Sequence, residues 1–196
     1  DFYSNTFFPY LEEQGIKHII QLGDLFDRRK YINFQSLKRG RSYLFDRLNA
    51  GYRTWVLVGN HDTYYKNTND VNSIDLLLRE YSNIHCVNEP TDVFLNDVKF
   101  LLVPWICDEN ELEVVNAIRT SNAAVIAGHF EIRGFEMQRG MLNDEGLEAN
   151  VFKEQELVIS GHFHHKSQNG NINYLGTPYE LTWSDYDDPK GFHIYD

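Results

Sequence analysis

Four short apolar runs in this chain each end in a glycine that is followed at once by a side chain able to hold a metal ion. They are Ile19-Ile20-Gln21-Leu22 before Gly23-Asp24, Trp55-Val56-Leu57-Val58 before Gly59-Asn60, Ala124-Val125-Ile126-Ala127 before Gly128-His129, and Leu157-Val158-Ile159-Ser160 before Gly161-His162. Runs of this length and β-branched content, bounded by glycine, read as buried strands, and the glycine lets the backbone turn sharply and approach an ion. Lying side by side, such strands would gather Asp24, Asn60, His129 and His162 at one carboxyl edge, where open α/β sheets bind ligands.

The intervening sequence supplies helices and further strands. Residues 2–14 read as the tail of a helix closed by Gly15. Asn33 caps a helix over 33–49 closed by Gly51, with Phe34, Leu37, Leu44 and Leu48 on one side, so that strand, helix and strand form a βαβ unit. A short helix starts at Asn72 or Ser73 and carries Ile74, Leu77 and Leu78. Strands follow at 84–87, 93–95 and 99–103, the last ended by Pro104, then a helix over 111–120. Residues 172–175 and 192–195 read as returning hairpin material. No linker or repeat divides the chain, so residues 1–196 are read as one domain.

At 196 residues the chain buries enough surface, roughly 70% of that exposed when unfolded, to fold without a cofactor. No uncharged apolar stretch approaches the ~20 residues that span a bilayer, so no membrane partner is expected. Cys86 and Cys107 lack CxxC spacing and read as reduced thiols, which places the protein in a cytoplasmic, reducing compartment. No signal peptide is visible. The net charge of −11 disfavours a polyanionic partner, but residues 28–47 hold seven basic groups (Arg28, Arg29, Lys30, Lys38, Arg39, Arg41, Arg47) against Asp46 alone. That stretch is either a solvated helix face or a basic ridge that guides a polyanion toward the strand ends.

Around the four ligand candidates the chemistry thickens. Asp27 follows Asp24, His61 and Asp62 follow Asn60, and His164 lies two residues past His162, on the same face if that segment is extended. Carboxylate, amide oxygen and imidazole together suit Mn²⁺, Fe²⁺ or Zn²⁺ rather than Ca²⁺ or a thiolate site. Asp62 reads as a cap and His165 as a contact to solvent or substrate on the opposite face. His18, His85 and His193 read as ordinary packing or surface residues.

The blocks Gly23-Asp24-Leu25-Phe26-Asp27, Gly59-Asn60-His61-Asp62, Gly128-His129 and Gly161-His162-Phe163-His164 resemble the calcineurin-like metallophosphoesterase superfamily across nearly the whole chain. Within it the first two blocks look like the SbcD-type DNA nucleases, phage recombination nucleases included. Leu102-Val103-Pro104-Trp105, Arg139-Gly140-Met141, Gly176-Thr177-Pro178 and Asp188-Pro189-Lys190-Gly191-Phe192 support the likeness.

The resemblance implies an α/β fold of two mixed β-sheets packed as a sandwich and flanked by helices. It also implies two divalent cations, Mn²⁺ foremost. Asp24 would bridge them; Asn60, His129 and His162 would hold the second and His164 the first. Two cations about 3.5 to 4 Å apart neutralise a phosphodiester and supply hydroxide to attack it. His61 would contact phosphate or protonate the leaving alkoxide, oriented by Asp27, while Arg28, Arg29, Lys30, Tyr64 and Tyr65 would contact substrate.

The family's Asp-x-His ahead of Asp24 is not found in residues 1–23, so the chain is read as lacking its first strand. The implied partners are DNA, an SbcC-type ATPase and a second copy in a homodimer, the last favoured by the apolar Phe2, Phe7, Phe8, Tyr10 and Leu11. The competing expectations are a small-molecule phosphodiesterase of the same fold and a non-catalytic scaffold binding DNA or the ATPase. Leu25-Phe26 and Asp62 depart from the pattern of phosphoprotein phosphatases.

Overall fold

The computed structural model describes residues 2–138 and 140–196; Arg139 lies outside them. A π-helical turn, Tyr3–Phe7, leads into α1 (Phe8–Glu13), and Gly15 ends it at a φ of +67°. After β1 (His18–Gln21) and a long loop, Asn33 caps α2 (Phe34–Gly40) by accepting hydrogen bonds from the Gln35 and Ser36 amides at 2.9 and 3.2 Å. A π-helical turn, Arg41–Phe45, continues α2 into α3 (Asp46–Gly51), and β2 (Arg53–Leu57) pairs parallel with β1, Ile20 opposite Trp55. The βαβ unit is therefore formed. Phe34 departs from its expected place on the packed face: as the first residue of α2 it is 86% exposed, while Leu44 and Leu48 are buried.

Asn72 caps α4 (Ser73–Leu78), and β3 (Ile84–Val87) joins β2 to complete a three-stranded parallel sheet, β1-β2-β3. Then come β4 (Thr91–Leu95), β5 (Val98–Val103), α5 (Glu111–Thr120) and β6 (Val125–Gly128). A small antiparallel ribbon, β7 (Glu136–Gln138) with β8 (Met141–Leu142), precedes β9 (Leu157–Ser160), β10 (Ser167–Asn169) and β11 (Ile172–Tyr174). The larger sheet runs β10-β11-β9-β6-β5-β4, parallel across its middle and antiparallel at both margins.

The two sheets face each other across Trp55, Leu57 and Val87 on one side and Phe100, Leu102, Val125 and Ala127 on the other. Outside the small sheet, Val56 and Val58 pack with Phe8, Leu44, Phe45 and Ile74; outside the large one, Leu101, Ile126 and Val158 pack with Val114 and Ile118 of α5. Strands covered on both faces have no polar side to show, which is why the runs of β2, β6 and β9 read as continuous apolar stretches, while β1, at the sheet edge, is only half-buried. This is the expected sandwich flanked by helices.

Two expectations need correction. The four runs do not form one row: β1 and β2 lie in one sheet, β6 and β9 in the other, and the motif edge is shared between sheets. The apolar residues at the start are largely engaged within the chain. Phe8 and Leu11 are buried, and Phe2, Phe7 and Tyr10 meet Phe192 edge-on at ring distances of 6.2, 5.1 and 5.4 Å, Tyr10 remaining 39% exposed. Residues 192–195 return as irregular chain and not as the expected strand.

Candidate metal centre

Register puts the strand ends flush. Val103 lies opposite Gly128 and Gly128 opposite Ser160, so β5, β6 and β9 release Trp105, His129 and His162 at one edge. The sheets are joined there by two hydrogen bonds: Trp105 N donates to Val58 O at 2.7 Å, and His129 Nδ1–H to Leu22 O at 2.6 Å. The second bond fixes the His129 tautomer, because a carbonyl only accepts, and leaves Nε2 facing the site.

Four ligand atoms converge. Asn60 Oδ1 lies 3.0 Å from His129 Nε2 and 3.0 Å from His162 Nδ1, the two ring nitrogens are 3.3 Å apart, and Asp24 Oδ2 is 3.3 Å from His129 Nε2. The donor atoms of Asp24, His129 and His162 all fall within 4.8 Å of one another. Lone pairs aimed at a common point repel unless a cation or shared protons lie between them, and this mixture of oxygen and imidazole donors fits a divalent transition ion.

The backbone is bent to achieve this. Asp24 and His162 both adopt positive φ, 54° and 80°, which L side chains rarely do and which costs on the order of 1–3 kcal/mol each. Two glycines permit the approach. A Cβ at Gly59 would strike the Asp24 amide and carboxylate, and one at Gly23 the His129 ring.

Electrostatics follow geometry. Burial works against the Asp24 carboxylate, yet His129 beside it holds its pKa below the ordinary range; the same pairing overcomes burial and raises His129. Burial, reinforced by His129, pushes His162 down to about 3, so it stands neutral with its lone pair available.

Asp62, expected to cap, does accept backbone N–H groups, but from two loops instead of a helix end: Gly59 at 2.9 Å, Phe26 at 3.2 Å and Leu25 at 3.4 Å. This carboxylate, 1% exposed, ties the turn bearing Asn60 to the one bearing Asp24, and burial followed by the nearby Asp24 raises its pKa to about 6. Trp105, 5.1 Å ring to ring from His162 and 5.9 Å from His129, walls the site. Its place just after an apolar run and proline was the available signal.

His61 is exposed; its amide donates to Asp24 Oδ1 at 2.7 Å, and its Nδ1–H donates to the Asp27 carbonyl at 2.7 Å, leaving Nε2 outward. The expected orienting role of Asp27 thus falls to its main chain. Its carboxylate is 89% exposed, 3.6 Å from Arg28. Arg29 Nη1 donates to Thr63 Oγ1 at 2.9 Å, which in turn donates to Asn60 O at 3.2 Å; Lys30 Nζ sits 5.3 Å over the Tyr64 ring, and Tyr64 meets Tyr65 edge-on at 4.7 Å. Arg28 bonds Tyr31 OH at 3.2 Å. The expected substrate contacts therefore form one surface beside His61. Farther along the basic stretch, Arg41 pairs with Glu80 and Arg47 with Glu12, so that part is a solvated helix face.

His164 stands apart from the converging donors. The alternation argument fails because His162 is left-handed rather than extended; His164 is 44% exposed with Nδ1 3.7 Å from Asp185 Oδ1. His165, expected to face solvent or substrate, is instead held between Asp188 Oδ1 at 2.7 Å and Glu136 Oε2 at 3.3 Å. No described helix is long and apolar enough to cross a membrane, and Cys86 and Cys107 are free thiols.

The chain is 39% identical over 187 residues to "Exonuclease subunit 1" of Enterobacteria phage T4, an alignment covering 95% of this chain and 55% of that protein. It is 28% identical over 175 residues to "Putative phosphoesterase 078R" of Invertebrate iridescent virus 3, covering 85% of this chain and 49% of that one. The chain thus spans about half the length of these curated relatives. Residues 3–178 match the model of the calcineurin-like phosphoesterases, and with the sandwich and the converging ligands in place this chain belongs to that family.

Proposed function

We propose that residues 1–196 are the nuclease domain of a protein that hydrolyses DNA phosphodiesters with two divalent cations, Mn²⁺ foremost. It would act as a homodimer with an SbcC-type ATPase, in the cytoplasm of a bacterial or phage-infected cell. The observation that carries the reading is the Asn60 amide oxygen lying 3.0 Å from both His129 Nε2 and His162 Nδ1. A neutral oxygen between two imidazoles with a carboxylate alongside is a donor set for a cation that must also accept a phosphate oxygen. The phage exonuclease subunit among the relatives supports the choice of a nucleic-acid substrate and of a partner protein.

In this reading Asp24, Asn60, His129 and His162 would hold one cation, and His164 would serve the other. When bound, the pair supplies charge neutralisation and hydroxide near neutral pH. The rest is done by this chain's own side chains. His61, with Nδ1–H spent on the Asp27 carbonyl, presents Nε2 to a phosphate oxygen or the departing alkoxide. Arg28, Arg29 and Lys30 contact phosphates, and Tyr64 and Tyr65 give bases a stacking face. Arg29, bonded through Thr63 to the Asn60 carbonyl, couples strand binding to the ligand turn.

Incubating the full chain and Mn²⁺ with linear DNA and with bis-p-nitrophenyl phosphate tests the proposal. Turnover of both is expected. Robust turnover of the small diester alone would overturn the nuclease reading in favour of a small-molecule phosphodiesterase.

A further inference from the structure

One polar side chain interrupts the apolar run of β1. Strand alternation sends Ile20 and Leu22 between the two sheets and puts Ile19 and Gln21 on the outer face, where Ile19 joins the core under the helices and Gln21 breaks the pattern. The Gln21 amide folds forward along its own chain: Nε2 donates to Gly23 O at 2.8 Å, and Oε1 accepts from Gly23 N at 2.9 Å. Turned over, it would set oxygen against oxygen and N–H against N–H, so the clamp has one orientation.

The residue it closes on sits where the chain leaves the strand. Gly23 adopts a φ of +92° and Asp24 one of 54°, two successive residues in the left-handed half of backbone space. Each hydrogen bond fixes a different peptide plane, because a peptide unit turns as one rigid body. The Gly23 N–H belongs to the plane that also carries Leu22 O, the acceptor of His129 Nδ1–H at 2.6 Å. The Gly23 carbonyl belongs to the next plane, which ends in the Asp24 nitrogen and so directs the carboxylate that lies 3.3 Å from His129 Nε2. Rotating the first plane would release the His129 ring; rotating the second would carry Asp24 away from it. Space is short as well, since a Cβ at Gly23 would strike the His129 ring and one at Gly161 the Leu22 carbonyl. An apolar side chain at position 21 would suit the outer face of the strand without the cost of desolvating an amide. What the amide adds is direction.

We propose that Gln21 is a positioning residue of the metal centre: its side-chain amide, closed on both polar groups of Gly23, aims Leu22 O at His129 and delivers Asp24 to the cation that these two hold with Asn60 and His162. The inference rests on the reading of those four residues as ligands given above.

Gln21→Met keeps the length of the side chain and Gln21→Leu continues the apolar run; both remove the amide, and the unbranched Met variant decides alone if the Leu variant does not fold. Calorimetric titration of the full chain with Mn²⁺ should show binding weakened roughly 10–100-fold, the loss typical of a group that orients a ligand. Proton NMR in chelator should show the His129 Nδ1–H resonance, protected by Leu22 O in the wild type, broadened by exchange with water in the variants. Turnover of bis-p-nitrophenyl phosphate should need correspondingly more Mn²⁺ and approach the wild-type rate at saturation. Unchanged Mn²⁺ affinity and an unchanged His129 resonance would overturn the proposal, whatever becomes of the melting temperature. A wild type that binds no Mn²⁺ would overturn it together with the metal site. Weaker binding in the variants, beside a wild type that turns over neither DNA nor the small diester, would uphold the positioning role and count against the phosphodiesterase reading.

Discussion

His61 is the residue whose role the geometry separates most cleanly from metal binding. Its imidazole is directed by a main-chain carbonyl, and only its amide touches a ligand, Asp24. His61→Ala is therefore expected to lower DNA cleavage by roughly 10²–10⁴-fold, the span of a lost general acid, while Mn²⁺ binding by calorimetry stays close to wild type. Loss of the metal together with activity would show that His61 is a ligand.

His162 carries a prediction about pH. A histidine held neutral in the fold, near 3 against an ordinary 6.5, contributes stability that is present above 6.5 and is lost as pH falls toward 3. Asp62 runs the other way. Its pKa is raised to about 6 from 3.8, so its contribution is present below 3.8 and lost as pH rises through 6. Between these limits the two oppose, and His129, whose pKa is raised, acts in the same direction as Asp62. Thermal melts in chelator should show the wild type losing more stability from pH 7 to 4.5 than His162→Gln does; an equal change in both would contradict the assignment.

Among the elements, the two loops leaving β1 and β2 carry the residues proposed to contact substrate. Residues 27–31 and 63–65 meet through Arg29 on Thr63 and Lys30 over Tyr64, so charge and aromatic surface come from different loops held together by buried Asp62. Replacing Lys30 and Tyr64 together by alanine is expected to raise KM for DNA roughly 5- to 100-fold, from lost stacking and phosphate contact, and to leave KM for bis-p-nitrophenyl phosphate unchanged. Equal rises for both substrates would place these loops in the chemistry and not in strand binding.

The same elements show what a reading of the sequence can reach. The strand before each ligand and the helix at Glu111–Thr120 were legible because apolar runs, glycines and helical spacing are local signals. The division of the runs between two sheets was not, since a strand buried on both faces looks alike whichever sheet it joins. Asp24, Asn60, His129 and His162 were legible from their glycines. The hydrogen bonds of Lys190 to the His164 carbonyl and of Asp188 to His165 were not: they form only when a segment more than 20 residues downstream folds back, and no spacing rule announces that. Asp27 shows the reverse case, a site position whose contribution comes from a carbonyl that every residue type possesses.

At the scale of the whole molecule, the sandwich exists to bring two sheets' strand ends to one edge. Its interior, with Leu57 and Leu102 fully buried, fixes the distance between the sheets, and the Trp105–Val58 and His129–Leu22 hydrogen bonds fix their alignment where the ligands emerge. Close-packed interiors transmit small displacements, so this edge is set by the core as much as by the loops. The most direct measurement is anomalous scattering at the manganese edge from crystals of the full chain grown with Mn²⁺. The account predicts a peak enclosed by Asp24 Oδ2, Asn60 Oδ1, His129 Nε2 and His162 Nδ1; a bound ion that avoids the Asn60 amide and both imidazoles would contradict it.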